Sequence, residues 1–486
     1  MQRKTNYPLF FILLFFGLLY SDISLVNHYQ FRTHALDLGL YNNAIYDYAH
    51  FRLNHDPLIS PDIGQVLADH FELLPMIFSP LQFIFGSYTL LLVQIAAILF
   101  GGYGIYRFFE NRFSNKTVPF IALIYFLSMW GIFSAVSFDY HNNVVGAMFV
   151  PWLFHFFDLK KFKPAILFLI LLLISKENMA LWSGFICAGL FLMNLKDKTK
   201  RSFALAFSLS AFIYFIVITG WIMPSLAHNG KYFHSDFHAL GNNLGEVFMN
   251  MLKHPLKTFS LMFENNSGNP EAAGIKSELC FTLLLSGGFI LLLRPVYLLM
   301  LLPIFGQKLL NDDPLRWGVN AHYSIEFIPV LTIALFSWIA GMTNKQNQLV
   351  IAITAVALSC SATLYVMNRP PSITSDPSKI RFYQKSHYTT NYNTNKIYEA
   401  LKLIPADARV SAQSLLVPHL AFRKSIHLFP SIEDADYIAL VDCNDTYPLN
   451  EADYKAKTGE IRNSPVWKPV YDEVGITIFK RDLQAK

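Results

Sequence analysis

The feature that most constrains this chain is a series of long runs with almost no charge, spaced through residues 1–367. Such runs must leave water, either into lipid or into a protein interior. A helix needs about 20 apolar residues to cross the hydrocarbon core. Runs near 8–26, 87–108, 117–137, 143–157, 164–175, 179–194, 203–223, 279–293, 296–310, 322–341 and 348–367 predict about eleven spans. The pairs 164–175/179–194 and 279–293/296–310 are short enough to be hairpins or single bent helices.

Composition sharpens this reading. Charged residues make up 15% of the 486, against about 25% in a soluble domain. The deficit is confined to the apolar part, and the last hundred or so residues look soluble. The sequence therefore predicts a mainly α polytopic bundle over 1–367 and a small α/β domain over 368–486. The net charge of +5 comes from short basic loops and leaves no nucleic-acid footprint. Cys187, Cys280 and Cys360 lie in apolar runs and Cys443 stands alone. None has metal-ligand spacing, so they read as packing residues. The start, MQRKTNYPLFFILLFFGLLYSDISLV, is basic then apolar and lacks a small-x-small cleavage site, which predicts a retained first span.

Lysine and arginine in short loops orient membrane helices. Gln2-Arg3-Lys4 precede the first run. Arg107, Arg112 and Lys116 follow the second, Lys160, Lys161 and Lys163 the fourth, and Lys196, Lys198, Lys200 and Arg201 the sixth. Arg294 and Lys345 fit the same alternation. This predicts a cytoplasmic N-terminus and places loops 27–72, 138–142, 176–178, 225–277 and 311–321, with the tail, on the outer side. In loop 225–277, Leu244, Val247, Phe248, Met251, Leu252, Leu256 and Phe259 recur at helical spacing, interrupted by Pro255. That pattern predicts an amphipathic helix at the interface. FELLPMIFSPLQFIFG (71–86) predicts a second interfacial or re-entrant segment. In the tail, TNKIYEALKLI reads as a helix. ARVSAQ, SIHLF, DYIALVD and the pair WKPVYDEV/GITIFKR read as strands, with Gly475 at a hairpin.

Acid–base residues gather on the outer side. The first loop holds Arg32, His34, Asp37, Asp47, His50 and Asp56, then Asp69, His70 and Glu72 in ADHFELLP. SFDYHNN supplies Asp139 and His141, SKEN supplies Lys176 and Glu177, and NDDPLRWGVNAHYS supplies Arg316 and His322. Each has an ordinary reading: Asp37 and Asp69 as helix caps, Asp139 and His141 as a polar turn, Lys176-Glu177 as a solvated ion pair, His322 as a helix-end histidine. Together, carboxylates beside His, Lys and Arg are the ingredients for deprotonating a hydroxyl and holding a phosphate. No HExxH spacing is present, and a divalent metal on Asp37 and Asp69 is left open.

The stretches LDLGLYNNAIYDYAHF, ADHFELLPMIFSPLQFIFGSYTLLLVQ, FDYHNN, SKEN, LRPVYLLMLLPIFGQKLLND, AHYSIEFIPVL and IPADARVSAQSLLVPHLAFRKSIHLFP resemble the bacterial membrane-protein family named for domain of unknown function 2079. The layout also resembles the GT-C superfold of membrane glycosyltransferases. That resemblance implies a polyprenyl-phosphate-linked sugar donor and transfer on the outer face of the inner membrane. It puts Asp37 at the general base and Asp69-His70 in the second half of the same loop. Lys176, Arg316 and His322 become candidates to grip the lipid phosphate, and Asp139, His141 and Glu177 candidates to line the substrate site. The DxD and WWDYG signatures of better-known members are absent, which leaves metal use and acceptor open. A transporter or lipid flippase, or a non-catalytic scaffold working through its tail, are the alternatives; no internal repeat is evident, and the ionisable residues sit at span ends rather than centres.

Overall fold

A computed structural model describes residues 6–54, 58, 63–234, 236–473, 475–482 and 484; Gln2-Arg3-Lys4 and Asp56 lie outside these. The chain is mainly helical, with one small sheet near its C-terminal end.

Among the described residues, four helices are long and apolar enough to cross a membrane: Tyr7–Tyr29, Leu74–Phe109, Lys198–Leu226 and Lys345–Met367. A fifth arises if Val118–Leu127 and Trp130–Val136, bent by 44°, form one broken span. The expectation of about eleven spans is therefore corrected to four or five. The reason is physical. Phe162–Leu173 has 12 residues and reaches only ~18 Å, short of the ~30 Å hydrocarbon core. Run 279–293 is interrupted by Gly287 at φ +88°, and run 143–157 divides into Asn142–Ala147 and Val150–Asp158. Many of these segments are apolar because they are packed inside: Tyr125, Phe126, Trp130, Leu153 and Trp182 are fully buried. Apolarity alone does not distinguish a lipid neighbour from a protein one.

The first helix shows the difference. Phe10, Phe11, Phe15 and Leu18 are exposed, whereas Tyr20, Ile23, Ser24, Asn27 and His28 are buried. Large apolar residues outside and polar ones inside suit a lipid solvent. The predicted amphipathic segment forms as Leu244–Lys253 and Pro255–Leu261, broken at the proline, with Phe248, Leu252, Leu256 and Phe259 exposed. Residues 74–88 form short helical turns that run into Thr89–Phe109.

In the tail, strands β1 (Val410–Ala412), β2 (Ile426–Leu428), β3 (Tyr437–Val441), β4 (Trp467–Glu473) and β5 (Ile476–Arg481) form one sheet of order β2-β1-β3-β5-β4. The first three are parallel and the last two pairings antiparallel. Gly475, at φ +80°, turns the β4–β5 hairpin. Helix Glu451–Asn463 was not anticipated; its sequence is too polar to show an apolar stripe.

The sheet does not keep its core to itself. Ala35, Leu40, Ala44 and Tyr48 of the first loop share one apolar cluster with Val410, Val417, Ile426 and Ile478. Asn42 donates to the Pro418 carbonyl (3.0 Å) and Asn43 to those of Ala421 (2.8 Å) and Arg423 (3.0 Å). A Cβ on Gly39 would stand 2.8 Å from Val417 Cγ1, so the close approach of the tail requires glycine there.

Candidate functional site

Beyond the first helix the chain reverses at Phe31 (φ +54°) and enters the wide turn Ala35–Gly39, which continues into helix Leu40–Ala49. Asp139 anchors that turn: its Oδ2 accepts the backbone N–H of His34 (2.7 Å) and of Leu38 (3.4 Å). Asp139 is thus spent on orienting the loop. Asp37 is not. Its side chain keeps 28% exposure, and its Oδ1 lies 3.3 Å from His141 Nε2. The His322 ring crosses that of His141 with centroids 3.5 Å apart, nearly edge-on. Neither ring nitrogen of His141 nor Nδ1 of His322 makes a hydrogen bond among the described residues. Buried polar atoms are nearly always bonded, so these are available to a polar ligand.

Burial, with the Asp139 carboxylate, pushes Asp37 up to about 7, while Lys379 and Lys176 pull in the other direction. Burial and the Lys176 ammonium hold His141 well below the ordinary imidazole value. Burial and neighbouring His141 do the same for His322. The group is a carboxylate poised to titrate near neutrality beside two neutral imidazoles.

A cavity of about 300 Å3 adjoins it, lined in part by Phe138, Asn320, Tyr323, Asp376 and Lys379. Phe138 packs on both His141 and His322, and the Lys379 ammonium lies 5.8 Å from the centre of its ring. The tail reaches the same place. Asp445 pairs with His34 at 3.4 Å, and burial and the Asp37 charge push the Tyr447 phenol up.

A second polar group gathers around Lys176 and Glu177. Lys176 and Glu177 do not form the solvated pair that adjacency suggested. Lys176 is extended (φ −167°, ψ 150°) at the start of helix Glu177–Met193, and the two side chains find different partners. Lys176 Nζ pairs with Glu72 Oε1 at 3.4 Å, both nearly inaccessible. Asn142, held by the Tyr140 hydroxyl, donates to Glu72 Oε2 at 2.6 Å. Glu177 accepts from His70 Nδ1 (2.9 Å) and from the Phe71 N–H (3.1 Å). His234 Nε2 donates to the Asp69 carbonyl (2.8 Å) and lies 3.1 Å from Asp69 Oδ1. Arg316 stands apart, bracketed by Asp236 (3.2 Å) and Asp313 (3.6 Å).

The fold thus brings Asp37, His141 and His322 together, and separately Asp69, His70 and Glu177. The residues that sequence reasoning did not single out are Lys379, His234 and Tyr323. Lys379 and His234 lie in polar loops with no motif and their partners are distant in the chain, so no local spacing marks them; Tyr323 follows His322 in the quoted AHYS stretch, where the histidine was the more conspicuous side chain.

A helical membrane bundle whose loops gather carboxylates and histidines is the class these features define. The chain matches, over residues 27–464, the family described as Predicted membrane protein (DUF2079), and it belongs to that family. It is a membrane protein whose apolar helices contact lipid. No curated protein matches it.

Proposed function

We propose that this protein is an inverting glycosyltransferase of the GT-C type, moving a sugar from a polyprenyl-phosphate donor to an acceptor hydroxyl. The site faces the extracytoplasmic side of the bacterial inner membrane, with the N-terminus cytoplasmic and the tail domain outside. The observation that carries this reading is Asp37: a carboxylate soon after the first span, partly exposed and beside His141, with its pKa raised to about 7 by burial and Asp139. A general base works best when its pKa lies near the working pH. Asp37 takes the acceptor proton as the hydroxyl oxygen bonds to the anomeric carbon, and the bond from that carbon to the phosphate oxygen breaks. Lys379 at the cavity and the donors of His322 and His141 stabilise the departing lipid phosphate, with Lys176 adding longer-range positive charge. The exposed apolar faces of Leu244–Lys253 and Pro255–Leu261 guide the lipid laterally.

The test is turnover of a panel of polyprenyl-phosphate sugars by the lipid-reconstituted protein beside Asp37→Asn. Donor consumption by the wild type alone supports the reading. Absence of binding to every such donor removes it.

A further inference from the structure

Outside the Asp37 site, Asp69, His70 and His234 converge so that one donor atom from each lies within 4.8 Å of the others. We propose that these three side chains form a binding site for a divalent transition-metal ion, zinc by preference.

Two imidazoles and one carboxylate suit zinc or ferrous iron rather than calcium or magnesium, which take oxygen ligands. Ligands on a tetrahedral zinc at about 2.0–2.1 Å stand about 3.4 Å apart, so the set closes by side-chain movements of little more than an ångström, with the ion replacing the proton by which His234 Nε2 now bonds the Asp69 carbonyl. Two contacts are preparation of the kind metal sites use. First, Glu177 accepts from His70 Nδ1 at 2.9 Å. That bond places the ring proton on Nδ1 and leaves the Nε2 lone pair for an ion, the carboxylate–histidine–metal arrangement that orients a ligand. Glu177 is itself fixed by the Phe71 N–H at 3.1 Å and is 2% exposed. Second, the His70 and His234 rings lie parallel with centroids 4.0 Å apart. That packing holds both rings beside Asp69. The local charge agrees. Lys176 is matched by Glu72, which leaves Asp69 and Glu177 as carboxylates for a dication. Three protein ligands also leave a coordination position open, as in catalytic rather than structural zinc sites.

The site ties loop 225–277, through His234, to the end of the first outer loop. It stands independently of the sugar-transfer reading, because metal binding is measured without turnover.

The purified full chain in detergent, stripped with chelator, is titrated with Co2+ and followed by visible absorption, then with Zn2+ in competition. One equivalent of bound Co2+ displaced by Zn2+ is expected. His234→Ala should weaken binding by 100-fold or more, and Glu177→Gln by about 10–100-fold. Asp37→Asn should bind as the wild type does. X-ray absorption on the zinc-loaded wild type should show two imidazoles, which keeps the test independent of how any variant folds. No stoichiometric ion in the wild type, a zinc shell without imidazole, or wild-type affinity in a folded His234→Ala each overturns the site.

Discussion

His141 Nε2 stands 3.3 Å from Asp37 Oδ1, and the His141 ring packs edge-on against that of His322 with centroids 3.5 Å apart. The carboxylate therefore faces one imidazole, that of His141, which packs on His322, and burial keeps both rings neutral; the charges of Asp139, Lys379 and Lys176 and the phenols of Tyr323 and Tyr447 lie within electrostatic reach of it. A base in this setting has a definite pH signature. With its pKa near 7, Asp37 is protonated below that value and ionised above it. Transfer should fall tenfold per pH unit below about 7 and level off above it. Asp37→Asn should lower turnover by about 10²–10⁴-fold with little change in donor binding. A wild-type rate that is flat from pH 5 to 8 would remove Asp37 as the base.

The same carboxylate predicts a stability effect of opposite sign. Its folded pKa is raised above the unfolded value, so between about 4 and 7 the folded state binds more protons. Stability contributed by this group therefore declines as pH rises through that window. Asp37→Asn should melt higher than the wild type at pH 8, and the two should converge near pH 4. Thermal unfolding in detergent at the two pH values checks this. A variant less stable than the wild type at pH 8 contradicts the assigned burial of the charge.

Lys176 and Glu72 form a nearly inaccessible ion pair at 3.4 Å. Removing one partner of such a pair typically costs about 3–5 kcal/mol, because the other charge is left buried alone. Glu72→Ala should be strongly destabilised. Lys176→Met combined with Glu72→Leu should recover much of the loss, since a matched apolar pair removes both desolvation penalties. Melting of Lys176→Met, Glu72→Leu and the double variant distinguishes this coupling from simple loss of packing.

The sequence made much of the helical framework and the tail sheet legible, because both rest on local pattern: apolar runs for the helices, alternation and Gly475 for the strands. The span count was not legible. Buried segments such as Val118–Leu127 and Val150–Asp158 are as apolar as lipid-facing ones, and only the folded bundle shows which neighbours they have. The site was half legible. Asp37, His141, His322, Asp69, His70 and Glu177 lie in conspicuous acid–base motifs. Their pairing did not follow from adjacency: Lys176 and Glu177 diverge, Asp139 turns to the backbone of His34 and Leu38, and Arg316 is held by Asp236 and Asp313. His234 and Lys379 carried no local signal, because what makes them notable is distant chain brought beside them.

The last prediction concerns how the tail is held over the first loop. Gly39 passes so close to Val417 that an added Cβ would lie 2.8 Å from Val417 Cγ1. Valine is branched at Cβ and has few rotamers to retreat into, so Gly39→Ala should cost about 1–3 kcal/mol as overpacking. The strain falls on a contact between two segments, so its first consequence is loosening of the tail, held nearby by the Asn42 and Asn43 hydrogen bonds. Limited proteolysis should cut within the tail, residues 368–486, faster in Gly39→Ala than in the wild type, and Val417→Ala in the same chain should restore protection. If the double variant is cut as fast as the single one, the effect arises from the turn Ala35–Gly39 itself and not from its contact with the tail. Because Asp37 lies in that same turn, a loosened tail should also lower transfer in Gly39→Ala, and Val417→Ala should recover it in parallel with protection.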